Sequence, residues 1–251
     1  MVTAGGNPVC RLLPLATADG PWQMAADEVM LESAATGQAS LRFYRWSEPT
    51  LSLGYFQPES VRRTNPALAG LPYVRRATGG GALVHDREIT YALALPLGAP
   101  WHDRAANWVA RFHRVAAVAL RSPTIGVKSV DTGQVRKLGE SLCFLDQTAD
   151  DLLVLGRKVL GSARRKHKSA VLQHGGILLA QSQFTPELPG LSELTGLPVE
   201  DFASLPDAII GALVAETGWR FEPADWTESE VCRRTELISE KYASPAWSAK
   251  R

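Results

Sequence analysis

The chain is short of cysteine, short of long apolar runs and nearly without net charge, and each shortage removes a class of protein. Three cysteines, Cys10, Cys143 and Cys232, are spread over 251 residues. They form no CxxC pair and no zinc-ligand spacing, so neither a disulfide scaffold nor a metal site is expected, and free thiols in a reducing cytoplasm are the plain reading. No apolar run approaches the ~20 residues that span a bilayer; "VAAVAL" is a typical maximum. The opening MVTAGGNPVCRLLPLATADG lacks a basic start followed by a continuous apolar stretch, so no secretory leader is expected. Twenty-seven basic and 26 acidic residues leave a net charge of +1, which argues against a surface built throughout for nucleic acid. Internal repeats and low-complexity tracts are missing too.

What is present suits a folded core. Hydrophobic residues make up 45% of the chain, enough to exclude disorder on composition. In WQMAADEVMLESAAT, Trp22, Ala25, Ala26, Val29 and Met30 share one helical stripe. LRFYRW and TLSLGYFQ read as strands joined at SEP, and YVRR, ALVHD and TYALALPL as three more. Residues 103–121 predict a helix through Trp108, Phe112, Val115 and Ala119. DDLLVLGRKVLGSA predicts a hairpin turning at Gly156-Arg157, and SAVLQHGGILLA a further strand. A helix near 206–217 follows, then one opening at Thr227 with Glu230 three residues on, a capping box.

The many hairpin-length connections predict an α+β fold, a mixed, largely antiparallel sheet packed with helices, rather than a doubly wound nucleotide fold. No linker divides the chain convincingly, 183–205 being the best candidate boundary. One domain over 1–251 is expected, with a core at about 20–205 and a helical C-terminal cap at 206–251.

Three stretches carry candidate chemistry. In VRRATGGGALVHD, Arg75 and Arg76 precede Gly79, Gly80 and Gly81, and His85 follows. No Gly-Lys-Ser/Thr follows, and the next residues alternate like a strand, so this is neither a P-loop nor a dinucleotide turn. Glycines let backbone approach a ligand and let successive N–H groups form an anion-binding concavity; a solvated hairpin with loose arginines is the plainer alternative. In GRKVLGSARRKHKSAVLQHGG, Lys158 sits on a predicted strand, facing either solvent or a site, beside the small residues Gly161, Ser162 and Ala163. The basic run 164–168 reads as a solvated loop, or as a docking element for an acidic partner. His174 reads equally as a core residue. Cys143 has apolar neighbours, which suits a buried thiol; a cation near it, such as Lys158 or His85, would make it a nucleophile.

Taken in order, these stretches resemble the lipoate–biotin protein ligase superfamily in its lipoate-ligase and octanoyltransferase branch. RRATGGGALVHDREITYALAL is similar to the branch's arginine-pair, glycine-triplet, His-Asp signature, and DLLVLGRKVLGSARRKHKSAVLQHGGILL to its second signature; MAADEVML and RWSEPTLSLGYFQ also match. The likeness runs over roughly 20–245. It implies the fold shared by class II aminoacyl-tRNA synthetases and biotin protein ligases, and by default a monomer. It implies an acyl pocket walled by Arg75, Arg76, Gly79, Gly80, Gly81, His85, Gly161, Ser162, Ala163 and His174. Lys158 matches the lysine that contacts the acyl carbonyl, where an ammonium group stabilises a developing oxyanion. Cys143, followed by Phe144 and fifteen residues before Lys158, falls where the cysteine-dependent octanoyltransferases of this branch carry their nucleophile.

That member type takes an octanoyl group from acyl carrier protein, holds it as a cysteine thioester and passes it to a lysine of a lipoyl-domain protein, such as glycine cleavage H protein or a dehydrogenase acyltransferase subunit. It uses no cofactor, no nucleic acid and no membrane. Lipoate-protein ligases, the alternative, form lipoyl-adenylate from ATP with Mg and need no cysteine. The arginine-glycine repeat of biotin ligases is missing, and an inactive acyl-binding or carrier-docking protein is the non-enzymatic alternative. Gly176 stands where the family usually shows serine.

Overall fold

The computed structural model describes residues 7–63, 65–101, 107–122, 125–135, 142 and 144–250. Among them the chain forms β1 (Val9–Leu12), β2 (Ala16–Ala18), α1 (Gly20–Ala35), β3 (Ser40–Trp46), β4 (Thr50–Leu53), α2 (Pro66–Ala69), β5 (Tyr73–Arg75), β6 (Leu83–His85) and β7 (Glu88–Pro96). Then follow α3 (Trp108–Leu120), β8 (Val127–Ser129), β9 (Leu152–Val154), β10 (Arg157–His167), β11 (Ala170–Leu178), α4 (Leu191–Thr195), α5 (Leu205–Thr217), β12 (Arg220–Pro223), α6 (Glu228–Leu237) and α7 (Pro245–Ser248).

Strand alternation builds the layers. On β7 the odd residues Ile89, Tyr91, Leu93 and Leu95 pack against Phe112, Val115 and Leu120 of α3 and Ile209 and Leu213 of α5. Its even residues Ala92 and Ala94 face the other way, toward Met24, Val29 and Met30 of α1. Side chains that alternate by two along a strand dictate this division, and alanine on the α1 side leaves room for a helix buried almost all round. Asp19 starts α1 by accepting from the Trp22 N–H at 2.9 Å.

The large sheet runs β12-β1-β3-β7-β11-β10-β9-β8, with β2 also on β3. Its central pairs, from β3–β7 through β8–β9, are antiparallel, and β1 pairs in parallel with β3 and β12. A small sheet, β5-β4-β6, stands apart. The mixed, largely antiparallel α+β architecture read from the sequence is therefore the one observed. The capping box of α6 is present too: Glu230 N–H meets Thr227 Oγ1 at 3.2 Å, and Thr227 N–H meets Glu230 Oε2 at 2.9 Å.

Several expectations need correcting. β3 and β4, expected on either side of SEP, belong to different sheets, so that link carries the chain between layers. The 103–121 helix begins at Trp108, where Asn107 accepts from Ala110 N–H at 3.3 Å; residues 102–106 lie outside the described residues. The region beyond 206, expected as a helical cap, also contributes β12, which extends the sheet beside β1. The basic run is mostly strand rather than loop: β10 continues to His167, and only Lys168 of that run lies in the turn to β11. Pairing then sends Arg164 and Lys166, both exposed, to one face and Arg165 to the other. Among the described residues no helix is long and apolar enough to cross a membrane.

The β9–β10 hairpin turns one residue earlier than expected, at Leu155-Gly156, because Val154 pairs with Arg157. Both turn residues have positive φ, 49° and 77°, the pattern of a type I′ turn. Leu155 is 77% exposed, so no packing offsets a conformation that costs an L-residue roughly 1–2 kcal/mol. Leu155→Asn should therefore raise stability by up to about 1 kcal/mol, to be read as an increase in denaturation midpoint.

Candidate active site

A cavity with about 470 Å³ of unfilled space, part of it open to solvent, lies between the two sheets. Arg76, Gly79, Gly80, Gly81, Leu83 and His85 form one wall. Gly161, Ser162 and Ala163 of β10 form another, beside His174, Gly175 and Gly176 of β11. Met24, Tyr44, Thr90 and Phe144 complete the lining. Nine of the twelve residues singled out from the sequence thus converge here; Arg75 and Lys158 do not line the cavity, and Cys143 lies outside the described residues. Among the described residues no cluster of three or more His, Cys, Asp or Glu is arranged to hold a metal ion.

The glycine loop is held by backbone contact. A Cβ on Gly54, at the end of β4, would stand 1.9 Å from the Gly80 carbonyl oxygen, so loop and strand approach as only glycine permits, and Gly80 itself has φ of 92°. Arg76 spans the loop, its Nη2 donating to the carbonyls of Gly79 (3.2 Å) and Gly81 (2.8 Å) and its Nη1 to Ser52 O (2.8 Å).

Arg75 does not line the cavity. Adjacent residues on an extended chain point to opposite sides, and Arg75 lies fully buried behind the loop. It donates to the carbonyls of Gly54 (2.9 Å), Gln57 (2.6 Å) and Ser248 (3.1 Å), while its own carbonyl accepts from Trp247 Nε1 at 2.9 Å.

Two carboxylate–imidazole pairs stand at the cavity. His85 Nδ1 donates to Glu88 Oε1 at 2.5 Å, its Nε2 meets Ser52 Oγ at 2.7 Å, and its ring stacks on Trp46 at 3.8 Å. Burial lowers the His85 pKa, with Glu88 pulling the other way. His174 Nδ1 donates to Asp27 Oδ2 at 2.7 Å, and its Nε2 pairs with Thr78 Oγ1 at 2.7 Å. Burial alone would raise the Asp27 carboxyl, but Arg42, 2.6 Å from Oδ1, and His174 outweigh it and hold the pKa below the ordinary value. Asp27, Ser52, Thr78 and Glu88 were not singled out in the sequence. Asp27 sits in MAADEVML, and Thr78 and Glu88 lie inside RRATGGGALVHDREITYALAL, a signal that could have pointed to them.

Lys158 lies just behind the wall. Its Nζ is 2.7 Å from Asp151 Oδ2, donates to Asp146 O at 3.2 Å and stands 5.1 Å from the Phe144 ring centroid. A Cβ on Gly161 would lie 2.4 Å from Lys158 Cε, so the small residue is what lets the lysine pass beneath the strand. Burial raises the Asp151 pKa, against the opposing pull of Lys158. Cys143 lies outside the described residues. Its neighbours are described: Leu142 bridges to Ala82, next to the glycine triplet, and Phe144 lines the cavity.

The region matching the family description "Lipoyl protein ligase A/B catalytic domain" is residues 19–188, and the chain belongs to that family. The octanoyltransferase LipM of Moorella thermoacetica is 31% identical over 269 residues, covering 96% of this chain and 98% of its own length. That of Brevibacillus brevis is 27% identical, covering 91% and 94%. A putative lipoate protein ligase from T. acidophilum, solved also with bound lipoic acid, shares the fold with a TM-score of 0.77 at 20% identity, over 96% of this chain and 99% of its own.

At Gly176, where the resemblance leads one to expect serine, a Cβ would lie 3.1 Å from Glu88 Oε2. That oxygen is buried and has no hydrogen-bond partner among the described residues. A serine hydroxyl there supplies a donor, whereas an alanine methyl only crowds the carboxylate. Gly176→Ser should exceed Gly176→Ala in stability by about 1 kcal/mol or more, as measured by thermal and denaturant unfolding of the two variants.

His113 of α3, buried against the outer side of β10, has its pKa lowered to about 4 by burial. Below the ordinary value of 6.5 the unfolded chain binds a proton that the folded chain refuses until about pH 4. The contribution of neutral His113 is therefore present above pH 6.5 and lost as pH falls toward 4. Across that window the unfolding free energy of the wild type should drop more steeply than that of His113→Gln.

Proposed function

We propose that this chain is an octanoyltransferase of protein lipoylation, moving an octanoyl group from acyl carrier protein through a Cys143 thioester to a lysine of a lipoyl-domain protein. The observation that supports it most is likeness along the whole length to octanoyltransferases; the cavity between the glycine loop and the β10–β11 wall supplies a partly enclosed site for the chain. The Cys143 thiolate attacks the carrier thioester carbonyl, a new C–S bond forms, the carrier's C–S bond breaks, and the carrier leaves as a thiolate that takes up the proton Cys143 gave up. The acceptor lysine, as a neutral amine, then attacks the enzyme thioester. The C–N bond forms, the C–S bond breaks, the amine proton is lost and the Cys143 thiol is restored. A thioester is exchanged for a thioester and then for an amide, so no ATP is needed.

In this reading Lys158 supports the oxyanion of both steps from beside Phe144, with Asp151 holding the ammonium group in place. Arg76, the glycine triplet, His85, His174 and the Gly161–Ala163 run shape the acyl chamber. Residues 1–251 act as one catalytic unit and as a monomer. A lipoyl-domain acceptor accords with a solved lipoate protein ligase system from Thermoplasma acidophilum described together with its E2 lipoyl domain.

The test is incubation of the purified protein with octanoyl-acyl carrier protein, without ATP or acceptor, followed by intact mass. An octanoyl adduct that hydroxylamine removes and that Cys143→Ala lacks is expected. Adenylate formation from lipoate, ATP and Mg, with no adduct, would replace this reading with the ligase one. Lys158→Ala should impair either chemistry severely.

A further inference from the structure

Ser162 stands in the cavity wall, yet its hydroxyl is engaged on the far side of the strand. Its Oγ is 2.6 Å from His113 Nε2 and 2.6 Å from the Tyr91 hydroxyl. His113 Nδ1 lies 2.7 Å from the Asp150 carbonyl. A carbonyl only accepts, so Nδ1 carries the proton, and a neutral ring leaves Nε2 as a bare acceptor. Ser162 must then donate to His113, and Tyr91, itself accepting from Gln173 Nε2 at 2.6 Å, donates to Ser162. The bonds run in one direction from β11 through β7 and β10 to α3. Gly175 makes room for them, since a Cβ there would stand 2.5 Å from Ser162 Oγ and 2.8 Å from the Tyr91 ring.

The other end of this chain is unusual. Asp150 has φ of 73° without being glycine. Its side chain accepts from Asn107 Nδ2, at the start of α3, at 2.8 Å, and its N–H donates to Val130 O at 2.9 Å. The next residue, Asp151, carries the carboxylate that holds Lys158. His113 thus ties the cavity wall with one nitrogen and the turn that carries the lysine's partner with the other.

We propose that His113 is a positioning residue for the acyl site, fixing the Gly161–Ala163 wall relative to the Lys158 ammonium although it does not touch the substrate. This rests on the cavity being the acyl site and adds a residue that works through Ser162 and Asp150.

Three substitutions separate its two arms. Glutamine places an amide near the Nε2 position and keeps a partner for Ser162; asparagine places one near Nδ1 and keeps a donor for Asp150; leucine keeps neither. Each would be assayed for kcat and KM with octanoyl-acyl carrier protein and, independently of turnover, for octanoate affinity. His113→Asn is expected to raise KM and weaken octanoate on the order of fivefold with kcat little changed, the size of one lost hydrogen bond. His113→Gln is expected to lower kcat on the order of fivefold with KM and octanoate affinity little changed. His113→Leu should show both losses, and Ser162→Ala, with His113 intact, should reproduce the asparagine pattern. Wild-type parameters in every variant, or the same loss in all of them, would reduce His113 to a packing residue. A wild type that binds octanoate but transfers none would overturn the proposed function instead, and the octanoate affinities would still decide the Ser162 arm.

Discussion

The buried ion pair between Arg42 and Asp27 is the contact on which the cavity depends. Both side chains are at most 3% exposed, and breaking such a pair from one side costs about 3–5 kcal/mol. Arg42 also donates to Gln23 Oε1 at 2.6 Å and to Gln23 O at 2.8 Å, so α1 is fixed to β3 by more than apolar packing. With one Asp27 oxygen on Arg42, the other orients His174, and His174 meets Thr78 beside the glycine triplet. A core charge pair is thereby linked in three bonds to the loop that closes the site. The β10–β11 wall, the loop and α1 are not independent pieces.

Missing side chains serve the same end. At Gly54 the vacant volume is filled by the Gly80 carbonyl, at Gly161 by the Lys158 stem, and at Gly175 by Ser162 and Tyr91. Each glycine is the counterpart of a particular neighbour, which sits closer to backbone than a substituted residue would allow.

Legibility of the sequence followed physical range. Alternation along β7 and the capping box of α6 are local patterns, and both appear where they were expected. The glycine triplet, His85, Ser162 and His174 could be brought to one place only through the long motifs of a family, because their convergence is tertiary. Arg75 and Arg76 show the limit: both belong to the motif, but strand phase sends one to the cavity wall and the other behind it, and phase is not written in an arginine pair. The Leu155-Gly156 turn was missed by one position because leucine is an unusual occupant of positive φ. His113 gave no signal at all. On α3 it reads as one more residue of an amphipathic helix, and its value lies in partners 37 and 49 residues away.

The tie from Arg75 to Ser248 spans 173 residues, and it has a consequence for how the site comes into being. During synthesis β4, β5 and the glycine loop emerge early, with all the residues needed for their own pairing. The buried guanidinium behind them gains its Ser248 carbonyl, and the Arg75 carbonyl its Trp247 indole, only when nearly all of the described chain has left the ribosome. The loop's rear support is thus delivered about 170 residues after the loop itself. Until then the early-made sheet lacks these two contacts, and Trp247 and Ser248 work as a fastener joined to it late.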